Sequence, residues 1–125
     1  MQDHTDDAID ELHALLDAAA SIVGFTGAGI STESGVPDFR RPGSPWMVNK
    51  PIPFDAFVAS REARIEAWRR KFAMDDHFAG AGPNRGHMAL ARLIAEGRSP
   101  GVITQNIDGL HQASSIPDER IVELH

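Results

Sequence analysis

The sequence predicts an α/β fold in which a parallel sheet carries flanking helices, and three observations predict it. Short apolar runs at residues 22–25, 102–104 and 121–124 alternate with longer stretches whose apolar side chains recur at helical spacing. Parallel strands joined by crossover helices require that order. The first run opens directly into a glycine-rich turn, Gly27-Ala28-Gly29, as nucleotide-binding α/β units do. Polar residues then gather after each run, at 26–31, at 105–108 and at His125. In parallel sheets, ligands bind beyond the carboxyl ends of the strands.

Each element has its own justification. In residues 6–20, Ile9, Leu12, Leu15, Leu16 and Ala19 share one helical face, with acids in the first turn. Residues 35–53 hold Pro37, Pro42, Pro45, Pro51 and Pro53 with Gly35 and Gly43, a density that no long regular element survives. A loop of that length in a compact domain usually has a functional reason. Residues 54–72 read as helix in one or two pieces, anchored by Phe57, Ile65, Trp68 and Phe72. After a break at 79–83, Asn84 caps a helix whose buried face is Met88, Leu90, Leu93 and Ile94, and Gly97 ends it. A polar turn at 105–109 follows the second strand, then a short helix at 110–115 and the third strand.

Composition narrows the function. The 125 residues suit one domain and carry a net charge of −6, from 12 basic and 18 acidic side chains. Six acids and no Lys or Arg fall in the first 17 residues, a solvated leader without functional weight. With no dominant basic stripe, no direct nucleic-acid partner is expected. The cluster Arg61, Arg64, Arg69, Arg70 and Lys71 is interrupted by Glu62 and Glu66 at helical spacing and reads as a salt-bridged exposed helix. With no cysteine in the chain, disulfides, thiol catalysis and Cys-ligated metals are excluded from these residues. No apolar run approaches the roughly 20 residues of a membrane span, so no membrane partner is expected and the expected address is cytoplasmic.

The polar clusters suggest chemistry. Gly27, Ala28 and Gly29 let a backbone approach phosphate closely, although the same glycines also suit an ordinary tight turn. The third glycine of a GxGxxG fingerprint is replaced by Thr32, which weakens a generic dehydrogenase reading. Asp38, Phe39 and Arg40 can close over a nucleotide and exclude water, or simply solvate a surface loop. Gln105, Asn106 and Asp108 suit sugar hydroxyls and a carboxamide, and equally suit a turn. His125 follows an apolar strand and is a candidate general base, or an exposed end of the chain. His87 and His111 are expected on helices as partly buried polar residues, and no histidine pair has metal-site spacing.

Together these strings resemble one family. The segment GAGISTESGVPDFR at residues 27–40 is similar to the cofactor-binding segment of the sirtuins, and TQNIDGLH at residues 104–111 to their second signature. Gly82-Pro83-Asn84 with His87, Ala89 and Leu90 matches a third block, and Val122-Glu123-Leu124-His125 resembles the segment with the catalytic histidine. Sirtuins are NAD-dependent protein lysine deacylases with a Rossmann-like domain and a small zinc-binding domain. The resemblance implies that Gly27, Ala28 and Gly29 hold the NAD pyrophosphate, and that Asp38, Phe39 and Arg40 belong to a mobile cofactor loop. It implies that Gln105 and Asn106 contact the nicotinamide ribose, that Ile107 and Asp108 hold the carboxamide, and that His125 is the general base. The implied products are deacylated lysine, nicotinamide and an acylated ADP-ribose, and the implied partner is an acyl-lysine protein or peptide.

Departures accompany the resemblance. Arg41 stands where the family motif usually has Gly, and the chain lacks tyrosine, removing the family's Tyr-x-x-Arg pointer to acidic acyl groups. The resemblance makes residues 1–125 the N-terminal part of the NAD-binding catalytic domain, after an acidic leader at 1–8, with the zinc-binding part beyond them. By themselves the 125 residues are then expected to be inactive and marginally stable. The alternatives are a non-catalytic remnant and a mono-ADP-ribosyltransferase of the same family.

Overall fold

A computed structural model describes residues 3–38 and 41–125. Its centre is a parallel sheet of β1 (Val23–Thr26), β2 (Gly101–Thr104) and β3 (Ile121–Glu123), in the order β1-β2-β3. Helices α1 (Asp3–Ala18), α2 (Pro45–Val48), α3 (Phe54–Ala59), α4 (Arg61–Phe78), α5 (Arg85–Ala95) and α6 (Leu110–Ala113) flank it. This is the expected α/β architecture, a partial Rossmann-like sheet.

The register brings the last residues of the first two strands together, Thr26 opposite Thr104. Because strand side chains alternate, Gly24, Thr26, Val102 and Thr104 share one face. Helix α5 covers it, and a Cβ on Gly24 would come within 2.9 Å of Leu90 Cδ2. Gly101 has a stricter reason to lack a side chain. A Cβ there would collide with the Arg120 carbonyl carried by the turn at Asp118–Arg120, which leads into β3. The opposite face is open: Val23, Phe25 and Val122 are 51, 63 and 54% exposed. Parallel sheets normally bury both faces.

Several expected anchors lie on surfaces that no described residue covers. On α1, Ile9, Leu12 and Leu15 are exposed, and only Leu16 is half-buried. Its carbonyl accepts from Arg98 Nη2 at 2.6 Å. On α4, Ile65, Trp68 and Phe72 are exposed and Met74 is the buried side chain. Met88 on α5 is exposed as well. Their helical spacing marks a stripe, but a stripe is buried only where something packs on it.

The remaining local expectations hold with shifted ends. The helix after Phe54 comes in two pieces, and the second runs on to Phe78. Glu66 accepts from Arg69 and Arg70 at 2.6 to 2.8 Å, and Lys71 pairs with Asp75. These form the expected salt-bridged face, although Arg64 instead donates to the Phe57 and Val58 carbonyls and ties α3 to α4. Asn84 caps α5, and Gly97 just beyond it has φ +74°. Within residues 35–53 the only helix among the described residues is the one-turn α2, capped by Ser44.

Candidate functional site

Thr26 and Thr104 end their strands side by side, so the chain leaves both strands at the same edge of the sheet. The turn after β1 folds into two 3-10 turns, Ala28–Ile30 and Thr32–Ser34. The turn after β2 runs through Gln105, Asn106, Ile107 and Asp108 to α6. Gln105 N donates to the Thr26 carbonyl at 3.0 Å, and Asn106 Nδ2 to the Gly27 carbonyl at 2.9 Å. Two loops distant in sequence are thereby sewn together.

Between them lies a cleft of about 220 Å³. Gln105, Asn106, Asp108 and His125 form its polar rim beside Ala28 and Ile107, and Val36, Pro37, Trp46 and Phe78 an apolar wall. The rings of Trp46 and Phe78 lie 6.3 Å apart. An apolar wall with a few convergent polar groups is the ordinary form of a small-molecule site. Space above the glycine turn fits the close approach of a phosphate: a Cβ on Gly29 would meet nothing within 4 Å, and one on Gly27 only the Gln105 side chain.

The carboxylate of Asp108 is held on both oxygens. Oδ2 accepts from Ser31 Oγ at 2.6 Å, and Oδ1 from the Leu110 backbone N–H at 3.0 Å. Ser31 is wholly buried and also meets His87 Nε2 at 3.3 Å. His87 Nδ1 accepts from the Asn84 backbone N–H at 3.1 Å, so that nitrogen is unprotonated and Nε2 carries the proton that goes to Ser31. Asn84 completes the support by donating to the Ile30 carbonyl and the Ser34 hydroxyl at 2.7 and 2.9 Å. Burial pushes the pKa of His87 down, against the pull of Asp108. The same holds for His111, where neighbouring His87 pushes in the same direction as burial.

The structure therefore brings together Ala28, Gln105, Asn106, Ile107, Asp108 and His125, with Gly27 and Gly29 beside them. Asp38 lines a neighbouring depression with Arg41 and Gly43, sharing Val36 and Pro37 with the main cleft. Phe39 and Arg40 lie outside the described residues. His87 and His111 correct the sequence reading: each sits on a helix as expected, yet they are 0 and 1% exposed and form a floor beneath the residues that line the cleft. Ser31, Thr26, Thr104 and Asn84 join them there. One signal for part of this floor was available, since Asn84 and His87 have the N-cap and N3 spacing of a capping box, with His in place of the usual Glu or Gln.

The model of the Sir2 family matches residues 27–125. The chain belongs to the Sir2 family. Over 117 residues it is 60% identical to NAD-dependent protein deacetylase 1 of Bradyrhizobium diazoefficiens, covering 94% of this chain and 46% of that protein. It is 43% identical over 117 residues to the NAD-dependent protein deacetylase of Thermodesulfovibrio yellowstonii, covering 94 and 45% of the two chains. Among solved structures, a Sir2 enzyme from work on Sir2 mechanism and regulation superposes with a TM-score of 0.78 at 37% identity, over 96% of this chain and 46% of that one. A Sir2 protein with a p53 peptide and NAD+ superposes with a TM-score of 0.75 at 37% identity, over 92 and 44%. This Sir2-family chain thus spans about half the length of the curated relatives it matches. Among its described residues no helix is long and apolar enough to cross a membrane, and no group of three or more His, Cys, Asp or Glu could hold a metal ion.

Proposed function

We propose that the protein carrying this chain is an NAD-dependent protein lysine deacetylase, which moves the acyl group of a modified lysine to ADP-ribose with release of nicotinamide. The observation that carries this reading is the convergence of Asn106, Asp108 and His125 on one cleft beside the Gly27–Gly29 turn. The Bradyrhizobium and Thermodesulfovibrio relatives, both named NAD-dependent protein deacetylases, support it. A cytoplasmic address belongs to the same proposal, since NAD is an intracellular co-substrate.

When bound, NAD supplies a ribose carbon that becomes electrophilic as nicotinamide departs. The residues of this chain have distinct tasks in that reaction. Gly27, Ala28 and Gly29 leave space for a pyrophosphate, and Gln105 and Asn106 present amides to a ribose. Asp108 accepts from a carboxamide N–H, and its carboxylate is already oriented by Ser31 and the Leu110 N–H. Such preorganisation costs nothing at the moment of reaction. The apolar wall of Val36, Pro37, Trp46 and Phe78 keeps water out, favouring acyl transfer over hydrolysis. His125 would take a proton from a ribose hydroxyl, whose oxygen would bond to the acyl carbon as the acyl C–N bond breaks and the lysine leaves as its amine.

The test measures nicotinamide release from NAD in the presence and absence of an acetyl-lysine peptide, using the protein that carries this chain. His125→Ala is expected to lower peptide-dependent turnover by about 10²-fold or more while NAD still binds. Asp108→Asn is expected to weaken nicotinamide inhibition as well as turnover. Full activity of His125→Ala overturns the role of that histidine, and peptide-independent release overturns the deacetylase reading.

A further inference from the structure

The mechanism leaves one buried side chain unused. His111, on α6, is 1% exposed, and its ring lies edge-on to His87 with centroids 5.2 Å apart. Its Nε2 is 2.8 Å from Thr26 Oγ1, while Nδ1 is buried without a hydrogen-bond partner among the described residues. Thr26 Oγ1 donates to Thr104 Oγ1 at 2.8 Å, and Thr104 Oγ1 also accepts from the backbone N–H of Asn106 at 3.0 Å. Both threonines are buried, and they are register partners at the ends of β1 and β2.

Proton counting gives this chain a direction. Thr26 has one hydroxyl proton, and Thr104 takes it, so the proton between Thr26 and His111 belongs to the imidazole. Nε2 is then the N–H and Nδ1 a bare lone pair. The opposite polarity would reverse the Thr26–Thr104 bond and bury an N–H at Nδ1 with no acceptor among the described residues. With His111 donating, the Thr26 hydroxyl points at Thr104, leaving a Thr104 lone pair aimed at Asn106 N–H. The side chain of that same Asn106 reaches the Gly27 carbonyl and lines the cleft.

We infer that His111 is a positioning residue that sets the place of Asn106 in the cleft through the hydroxyls of Thr26 and Thr104. This rests on the proposed deacetylase reading for its catalytic consequence, but the hydrogen-bond chain is testable without it. The effect travels through the floor of the site, and His111 need not touch substrate. A positioning error of about 1 Å in such a site can cost about 10²-fold in rate.

Two sets of measurements test it. In the protein carrying this chain, His111→Leu is expected to lower kcat about tenfold or more with KM for NAD changed less than about threefold. His111→Gln, which keeps a terminal N–H donor, is expected to recover most of that loss. Thr26→Val is expected to mimic His111→Leu, and the double variant to be no worse than either alone, because one chain is cut twice. Additive losses, an unimpaired His111→Leu or Thr26→Val enzyme, or a Gln variant as poor as Leu overturn the inference. Independently of activity, nitrogen NMR of the imidazoles is expected to show His111 as the Nε2–H tautomer. Amide exchange is expected to show Asn106 N–H losing about tenfold protection in Thr26→Val, a variant close in shape to the parent. A His111 Nδ1–H tautomer or unchanged Asn106 exchange overturns it, even if the protein proves to have no deacetylase activity.

Discussion

The two buried histidines make this site sensitive to acid. Both His87 and His111 have folded-state pKa values pushed below the ordinary 6.5, first by burial. As pH falls below about 6.5, the unfolded chain therefore binds protons that the folded chain refuses, and stability falls with it. The contribution is complete above that pH and is lost on the way down to the folded values. Thermal unfolding followed by circular dichroism is expected to show the midpoint dropping from about pH 6.5 downward. The slope should flatten in a His87→Gln, His111→Gln double variant, and an equal slope in both proteins would remove the histidines as its cause. At the same scale, Asn84→Ala is expected to cost about 2 kcal/mol, since it removes an N-cap and strands the Ile30 carbonyl and Ser34 hydroxyl. Denaturant unfolding checks this, and a loss near zero would mean that the loop keeps its place without Asn84.

At the scale of elements, the parallel strands matter for what they deliver at their carboxyl ends. The register of β1 with β2 puts Thr26 against Thr104, which aligns the glycine turn with the 105–108 turn. A slip of either strand by one residue would turn its threonine to the other face, away from its partner. The approach of the turn before β3 to β2 depends on Gly101, whose missing side chain leaves room for the Arg120 carbonyl. Gly101→Ala is expected to cost about 3 kcal/mol by overpacking against backbone and to disturb the strand that carries His125. Loss of NAD binding alongside lowered stability would follow from this, whereas a variant of unchanged stability would contradict the geometry. The Glu66 pairs on α4 are another matter. Arg69 and Arg70 hold the Glu66 carboxyl down to about 2, yet both pairs lie at the solvated surface, where ion pairs contribute little.

For the whole molecule, the decisive feature is what remains uncovered. Val23, Phe25, Val122 and Leu124 at the sheet, and Ile9, Leu12 and Leu15 on α1, are all exposed. Exposed apolar surface on this scale marks an interface or a risk of aggregation. The 125-residue chain by itself is therefore expected to bind a hydrophobic dye and to self-associate. Phe25→Thr with Val122→Thr should lower dye binding and association in light scattering. A monomeric parent chain that binds no dye would contradict the exposure of that face.

Much of this protein was already determined by the sequence alone. Helical spacing, glycine punctuation and short apolar runs specify the α/β order, and the segments at 27–40 and 104–111 specify the family. Local signals sufficed because caps, turns and strand runs act over a few residues. The apolar stripes of α1 and α4 show the limit: spacing says which side chains share a face, and only packing says whether that face is covered. The floor of the site shows it again. Ser31, Thr26, Thr104, His87 and His111 lie up to 85 positions apart in the chain, and each looks ordinary in its own segment. Tertiary structure brings them together out of water, where an unmatched proton is expensive, and so decides which nitrogen carries it.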